Sequence, residues 1–266
     1  MLLFQDIASI VIYEAWDFRM VAFCFSITSV SIIISVFLSR FLHPSDIRGE
    51  FIQASYRSSA AILGIAIIQN LYGNAGMAPL MIIASVPLYN VMAVVILSIF
   101  KPGQGKLNGV VLKRTLKGII TNPIILGIAA GTLWSLLRLP FPKILDSTVG
   151  NLAKTATPLG LMAMGGSLRF GKAFSRLKAS VACTFMKLVG YEALFLPLAI
   201  RCGFTQDKLV SIIIMLGSAS TVTCFVMAKN MDHEGSFSSG VVLLTTVFSA
   251  FTLTLWLFIC KNLGLI

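Results

Sequence analysis

The sequence predicts an all-α integral membrane protein with about eight membrane-spanning helices. Three observations predict it. Hydrophobic residues make up 57% of the 266 residues and charged residues only 12%, about half the charged share of a soluble domain. The apolar residues come in long blocks instead of alternating with polar ones. The charges, net +11, sit in short clusters between the blocks. They form no continuous basic face of the kind nucleic acid requires, so no nucleic-acid partner is expected and the lipid bilayer is.

A helix needs about 20 apolar residues to cross a bilayer. Such spans fall at 18–39, 51–72, 77–100, 118–138, 145–168, 178–200, 208–229 and 237–260. The first is the uncharged run from Met20 to Ser39. The uncharged run from Ser58 to Phe100 is too long for one helix. It divides at Tyr72-Gly73-Asn74-Ala75-Gly76, a turn signal. Span 118–138 opens at Thr121-Asn122-Pro123, where proline suits a first helical turn. It carries Gly127 and Gly131 at a spacing that lets helices approach closely. Spans 145–168 and 178–200 each hold a lysine, Lys154 and Lys187. Residues 1–12 are apolar but too short to span, and they lack the basic start and cleavage site of a signal peptide.

Loop charges set the orientation. Arg40, Arg48, Arg57, Lys101, Lys106, Lys113, Arg114, Lys117, Arg169, Lys172, Arg176, Lys178 and Lys229 fall on one side. They outnumber Arg19, Arg138, Lys143, Arg201, Lys208 and Lys261 on the other. Basic loops face the cytoplasm, which makes 101–117 cytoplasmic, places the C-terminus outside and assigns the chain to the cell membrane as a multi-pass protein.

The 101–117 segment begins Lys101-Pro102-Gly103-Gln104-Gly105-Lys106 and is the linker of the chain. It separates a membrane block at 1–100 from another at 118–266. One shift lays Ser59-Ala60 on Ser218-Ala219 and Gly76 on Gly235. Under that shift the first block matches the later part of the second and is incomplete at its start. A 5 + 5 plan with an odd repeat unit is an inverted repeat, the plan of secondary transporters.

The matching spans 51–72 and 208–229 contain the candidate site. One reads Ser58-Ser59-Ala60-Ala61-Ile62-Leu63-Gly64, the other Gly217-Ser218-Ala219-Ser220-Thr221-Val222-Thr223. Small and hydroxyl residues at the membrane midplane fit either close helix packing or broken helices whose freed amides face an anion. The candidate substrate contacts are Ser58, Ser59, Ser218, Ser220 and Thr221, with Lys187 as a candidate charge. A lysine at the centre of a span costs about 2.5–3.5 kcal/mol on insertion scales and faces a cavity or a partner. Glu192 follows five residues later, about 140° away around an ideal helix, so the two are not natural partners within it. For Lys187 four roles stay open: an aid to an anion, a charge-pair latch between moving parts, snorkelling, and a static bond between helices.

The five cysteines have no metal or redox spacing, and His43 and His233 have no neighbouring ligand. No catalytic set and no phosphate-binding glycine loop is present. Neither an enzyme nor a cofactor is expected.

Several stretches resemble the auxin efflux carrier family in its bacterial branch. They are Tyr56-Arg57-Ser58-Ser59-Ala60-Ala61-Ile62-Leu63-Gly64-Ile65, Thr121-Asn122-Pro123-Ile124-Ile125, Ala156-Thr157-Pro158-Leu159-Gly160-Leu161-Met162-Ala163-Met164-Gly165-Gly166 and Phe225-Val226-Met227-Ala228-Lys229. The resemblance implies ten helices in two inverted halves, two broken helices crossing at the centre, and an elevator-like motion that moves organic anions. Met1-Leu2-Leu3-Phe4 resembles the middle of the family's second helix, which implies that one and a half helices are missing. Ser59 stands where the family commonly has Asn; Ala66 and Ala219 stand where it commonly has Pro. Losing proline restores an amide and weakens the reason for a helix to break.

The expected function is secondary transport of small organic anions, dicarboxylates or auxin-like acids, with a homodimer as an open option. The alternatives are a sodium-coupled carrier of the bile-acid type and a non-transporting truncated membrane protein.

Overall fold

The computed structural model describes residues 17–73, 76–102, 142–167 and 176–266, with a few positions between 126 and 137. Residues 1–16, Thr121-Asn122-Pro123, Gly131 and the side chain of Lys154 lie outside the described residues. The described part is helical throughout. The helices are α1 (Phe18–Ser39), α2 (Arg48–Tyr56), α3 (Ala60–Tyr72), α4 (Ala78–Ile99), α5 (Lys143–Ser167), α6 (Leu177–Phe185), α7 (Tyr191–Arg201), α8 (Gln206–Gly217), α9 (Thr223–Asn230) and α10 (Ser236–Asn262). A π-helical turn, Met186–Gly190, joins α6 to α7 without a break.

Among the described residues four helical stretches are long and apolar enough to cross a membrane: Phe18–Ser39, Ala78–Ile99, Leu177–Arg201 and Ser236–Asn262. They match four of the expected spans closely, because an unbroken apolar run must satisfy its own backbone in lipid. The α5 helix has the length, but Lys143, Asp146 and Lys154 make it more polar. The two remaining described spans are interrupted. Residues 51–72 divide into α2 and α3 at Arg57-Ser58-Ser59, and 208–229 into α8 and α9 at residues 218–222.

Local sequence explains the helix ends. Asp17 caps α1 by accepting from the amides of Arg19 at 2.9 Å and Met20 at 3.2 Å. Gly73 ends α3 in the left-handed region, with φ of 75°. The buried Glu50 of α2 crosses to the start of α10, where its carboxylate accepts from the amides of Gly235 at 2.8 Å and Ser238 at 2.9 Å. A carboxylate is well placed there, since a helix start presents free amides and partial positive charge.

Ion pairs and loop contacts sort the loops into two groups. Arg176 reaches Asp46 at 2.8 Å and Glu234 at 3.3 Å, Lys101 reaches Asp232 at 2.7 Å, and the His233 ring bonds the Leu97 carbonyl. At the opposite helix ends Lys208 pairs with Asp17 at 2.6 Å, Arg19 donates to the Cys202 carbonyl, and the Gln206 amide donates to the Leu265 carbonyl. Contacts are thus shared within each group of loops that the charge bias assigns to one side.

Candidate functional site

The two interruptions meet. The Ser59 amide donates to the Ala219 carbonyl at 2.9 Å. Both first half-helices end the same way. Arg57 leaves α2 at φ −74° and ψ 138°, and Ser218 leaves α8 at φ −70° and ψ 155°. Both residues leave their helices in extended backbone conformation.

Each break frees carbonyls that lipid cannot satisfy. The protein satisfies them crosswise. Ser220 Oγ donates to the Ala54 carbonyl of α2 at 2.7 Å, and Ser58 Oγ donates to the Met215 carbonyl of α8. Gln53 Nε2 adds a further tie between the halves by donating to the Cys224 carbonyl in the first turn of α9 at 2.9 Å, a carbonyl the break does not free. Lys187 Nζ donates to the Leu216 carbonyl at 2.6 Å and to Ser58 Oγ. Positive charge at a half-helix C-terminus also complements its dipole. The breaks therefore stand without Pro at Ala66 or Ala219. Side-chain donors do the work that the proline substitutions left in question.

The other candidate residues are placed as follows. Ser218 is fully buried and its Oγ has no partner among the described residues. Thr221 Oγ1 accepts from the Thr223 amide at 3.2 Å and shares a hydrogen bond with Thr223 Oγ1, so it caps α9. Ser59 and Thr221 are half-buried, while Ser58 and Ser220 are buried. The α5 helix closes on the second interruption through Gly160, where a Cβ would lie 3.0 Å from Val222.

Arg57 corrects the loop reading. Grouped by sequence with the loop charges, it is 2% exposed and lies within the first interruption. Nη2 donates to Asn90 Oδ1 at 2.6 Å and Nη1 to Met227 Sδ at 2.7 Å, while Nε has no partner among the described residues. Among the described residues no carboxylate pairs with it. The signal was available, since Arg57 falls well inside the span 51–72. Asn90, in the middle of an apolar span, was missed as its partner.

The π turn corrects the geometry of Lys187 and Glu192. The Tyr191 amide bonds the Met186 carbonyl, an i→i+5 bond. A residue and the one five places on are thereby stacked on one face instead of about 140° apart. Lys187 and Glu192 both reach the last residues of α8: Lys187 the Leu216 carbonyl, Glu192 the space beside Gly217.

Interrupted helices that meet within a membrane, with buried charges beside them, recur in secondary transporters. The family model described as "Membrane transport protein" matches residues 1–257. This chain belongs to that family, the auxin efflux carriers. It is a multi-pass membrane protein. Within the curated members, it is 26% identical over 162 residues to the "Putative malonate transporter" of Rhizobium meliloti (strain 1021). That alignment takes in 60% of this chain and 50% of the relative, so the chain spans about half the length of the relative it matches.

Proposed function

We propose that the chain is a secondary transporter of small organic anions, of the malonate or auxin-like carboxylic acid class, located in the cell membrane. One observation carries this reading. Two buried cations, Arg57 and Lys187, stand at the interruptions where neutral groups, not carboxylates, are their hydrogen-bond partners. A buried charge without a counter-ion is costly, and an anionic substrate supplies the counter-charge that Arg57 lacks among the described residues. Ser59 and Thr221 are the half-buried hydroxyls at the interruptions, and Ser58 and Ser220 hold the backbone behind them.

In this reading 1–100 and 118–266 are inverted repeats joined by the cytoplasmic 101–117 linker, and the spans number about eight. The interruptions, tied to each other, travel as one piece past the remaining helices in an elevator-type alternating-access cycle. Uptake of malonate, malate and indole acetate into proteoliposomes tests the proposal, run with and without sodium. Saturable flux of one of these acids is expected; its absence for all three sinks the substrate class. An absolute requirement for sodium would instead favour the bile-acid type of coupling.

A further inference from the structure

We propose that Glu192 is a proton-binding site in the middle of the membrane, and that Lys187 passes its charge state to the two interruptions. What the proton drives rests on the anion-carrier reading above; the existence of the site does not.

Glu192 opens α7 immediately after the π turn and is wholly buried. Neither carboxyl oxygen has a hydrogen-bond partner among the described residues. Oε1 occupies the space that any side chain at Gly217 would need, and Leu253 closes the other side of that space at 3.2 Å. The titratable groups facing the carboxyl are Lys187 on its own helical stretch and Cys260 on α10. From α8 only the backbone at Gly217 approaches it. That backbone is the carbonyl end of a half-helix, which disfavours negative charge. A bare carboxylate in such a place requires a partner. The cation that could serve, Lys187, is engaged by the Leu216 carbonyl and Ser58 Oγ. A proton on the carboxyl is the partner the proposal assigns to it.

Release of the proton changes the balance. The carboxyl becomes a carboxylate and one proton leaves to water. The new charge stands one π turn from Lys187 on the same face. It draws the ammonium away from Leu216 and Ser58, a side-chain tie that joins α8 and the first interruption to α6–α7 through a cation. Protonation of Glu192 thus fastens the interruptions, and deprotonation frees them.

Two measurements on the full chain test this. Infrared difference spectra recorded across pH should show a buried carboxylic acid in the wild type that is absent from Glu192→Gln and restored in Glu192→Asp. This readout needs no transport, so it decides the site even if none of the acids tested is carried. In proteoliposomes with the membrane potential clamped, a gradient of one pH unit drives about tenfold malonate accumulation at one proton per anion. Glu192→Gln should abolish that accumulation and make counterflow, whatever its rate, independent of pH. Lys187→Met should keep the infrared signal yet lose the accumulation. An unchanged infrared signal in Glu192→Gln, or gradient-driven accumulation that persists in it, overturns the proposal.

Discussion

The amide of Ser59 donates to the carbonyl of Ala219 across 2.9 Å, so the two interrupted helices touch through backbone atoms. A backbone contact is indifferent to which side chains stand there. This is why the meeting point tolerates Ser in place of Asn and Ala in place of Pro, provided the freed carbonyls find donors elsewhere.

Those donors define the first expectation. Ser58→Ala and Ser220→Ala each leave a buried carbonyl bare. Each should cost about 1–3 kcal/mol of stability, read as a lowered midpoint of thermal unfolding in detergent. Substituting either serine by Thr, which keeps the hydroxyl, should recover part of the loss. Equal midpoints for Ala and Thr variants would refute the capping role.

Arg57 gives the second. Arg57→Gln removes the charge and keeps a donor for Asn90 Oδ1. Loss of a charge-assisted hydrogen bond of about 1.5–3 kcal/mol should weaken anion affinity between about tenfold and a hundredfold. Arg57→Lys should fall between, since lysine keeps the charge but not the planar fork. Unaltered half-saturation for malonate in Arg57→Gln would rule this residue out as an anion contact.

A third concerns Gly217. A methyl group there would meet the Glu192 carboxyl, with Leu253 Cδ2 only 3.2 Å away. Gly217→Ala should destabilise the chain by about 1–3 kcal/mol, the usual range for overpacking. Glu192→Ala in the same chain should return part of that stability, because it empties the contested space. Strict additivity of the two substitutions would show that they do not share it.

Acid stability supplies the fourth. The bond from Lys208 holds the Asp17 carboxyl below its ordinary value of 3.8, assisted by the amides of Met20 and Arg19. A lowered folded value means that the stabilisation is complete above 3.8 and is lost as pH falls through the lower value. Asp17→Asn keeps the cap on α1 but loses the ion pair, so it should flatten stability in that acid range. Asp17→Ala should also cost about 1 kcal/mol at neutral pH through the lost cap. Thermal unfolding at several pH values separates the two, and an Asn variant as acid-sensitive as the wild type would exclude the pair.

The parts legible in the sequence were those governed by uninterrupted apolar length. The α1, α4 and α10 helices begin and end within two residues of the runs that announce them, because backbone groups in lipid have no alternative to the helix. The hydroxyl-rich stretches around Ser58 and Ser220 also pointed to the breaks. What escaped depended on departures from ideal geometry. The π turn at Met186–Gly190 has no marker in the residues, and it alone turns Lys187 and Glu192 to one face. Arg57 reads in sequence like the loop cations Arg40 and Arg48 before it, although it lies inside the span 51–72. The crosswise caps join residues far apart in the chain, and nothing local records such a pairing.

Those caps also bear on how the protein is made. The Ala54 carbonyl waits for a hydroxyl 166 positions later, and the Gln53 amide for a carbonyl 171 positions later. As the ribosome delivers the chain, α2 and α3 enter the bilayer with their broken ends unmet. They stay so through the synthesis of every helix up to α8. The nascent carrier therefore needs water, lipid headgroups or an insertion chaperone at that spot until the second interruption arrives, and arrest of translation before Ser220 should leave the first block open to degradation.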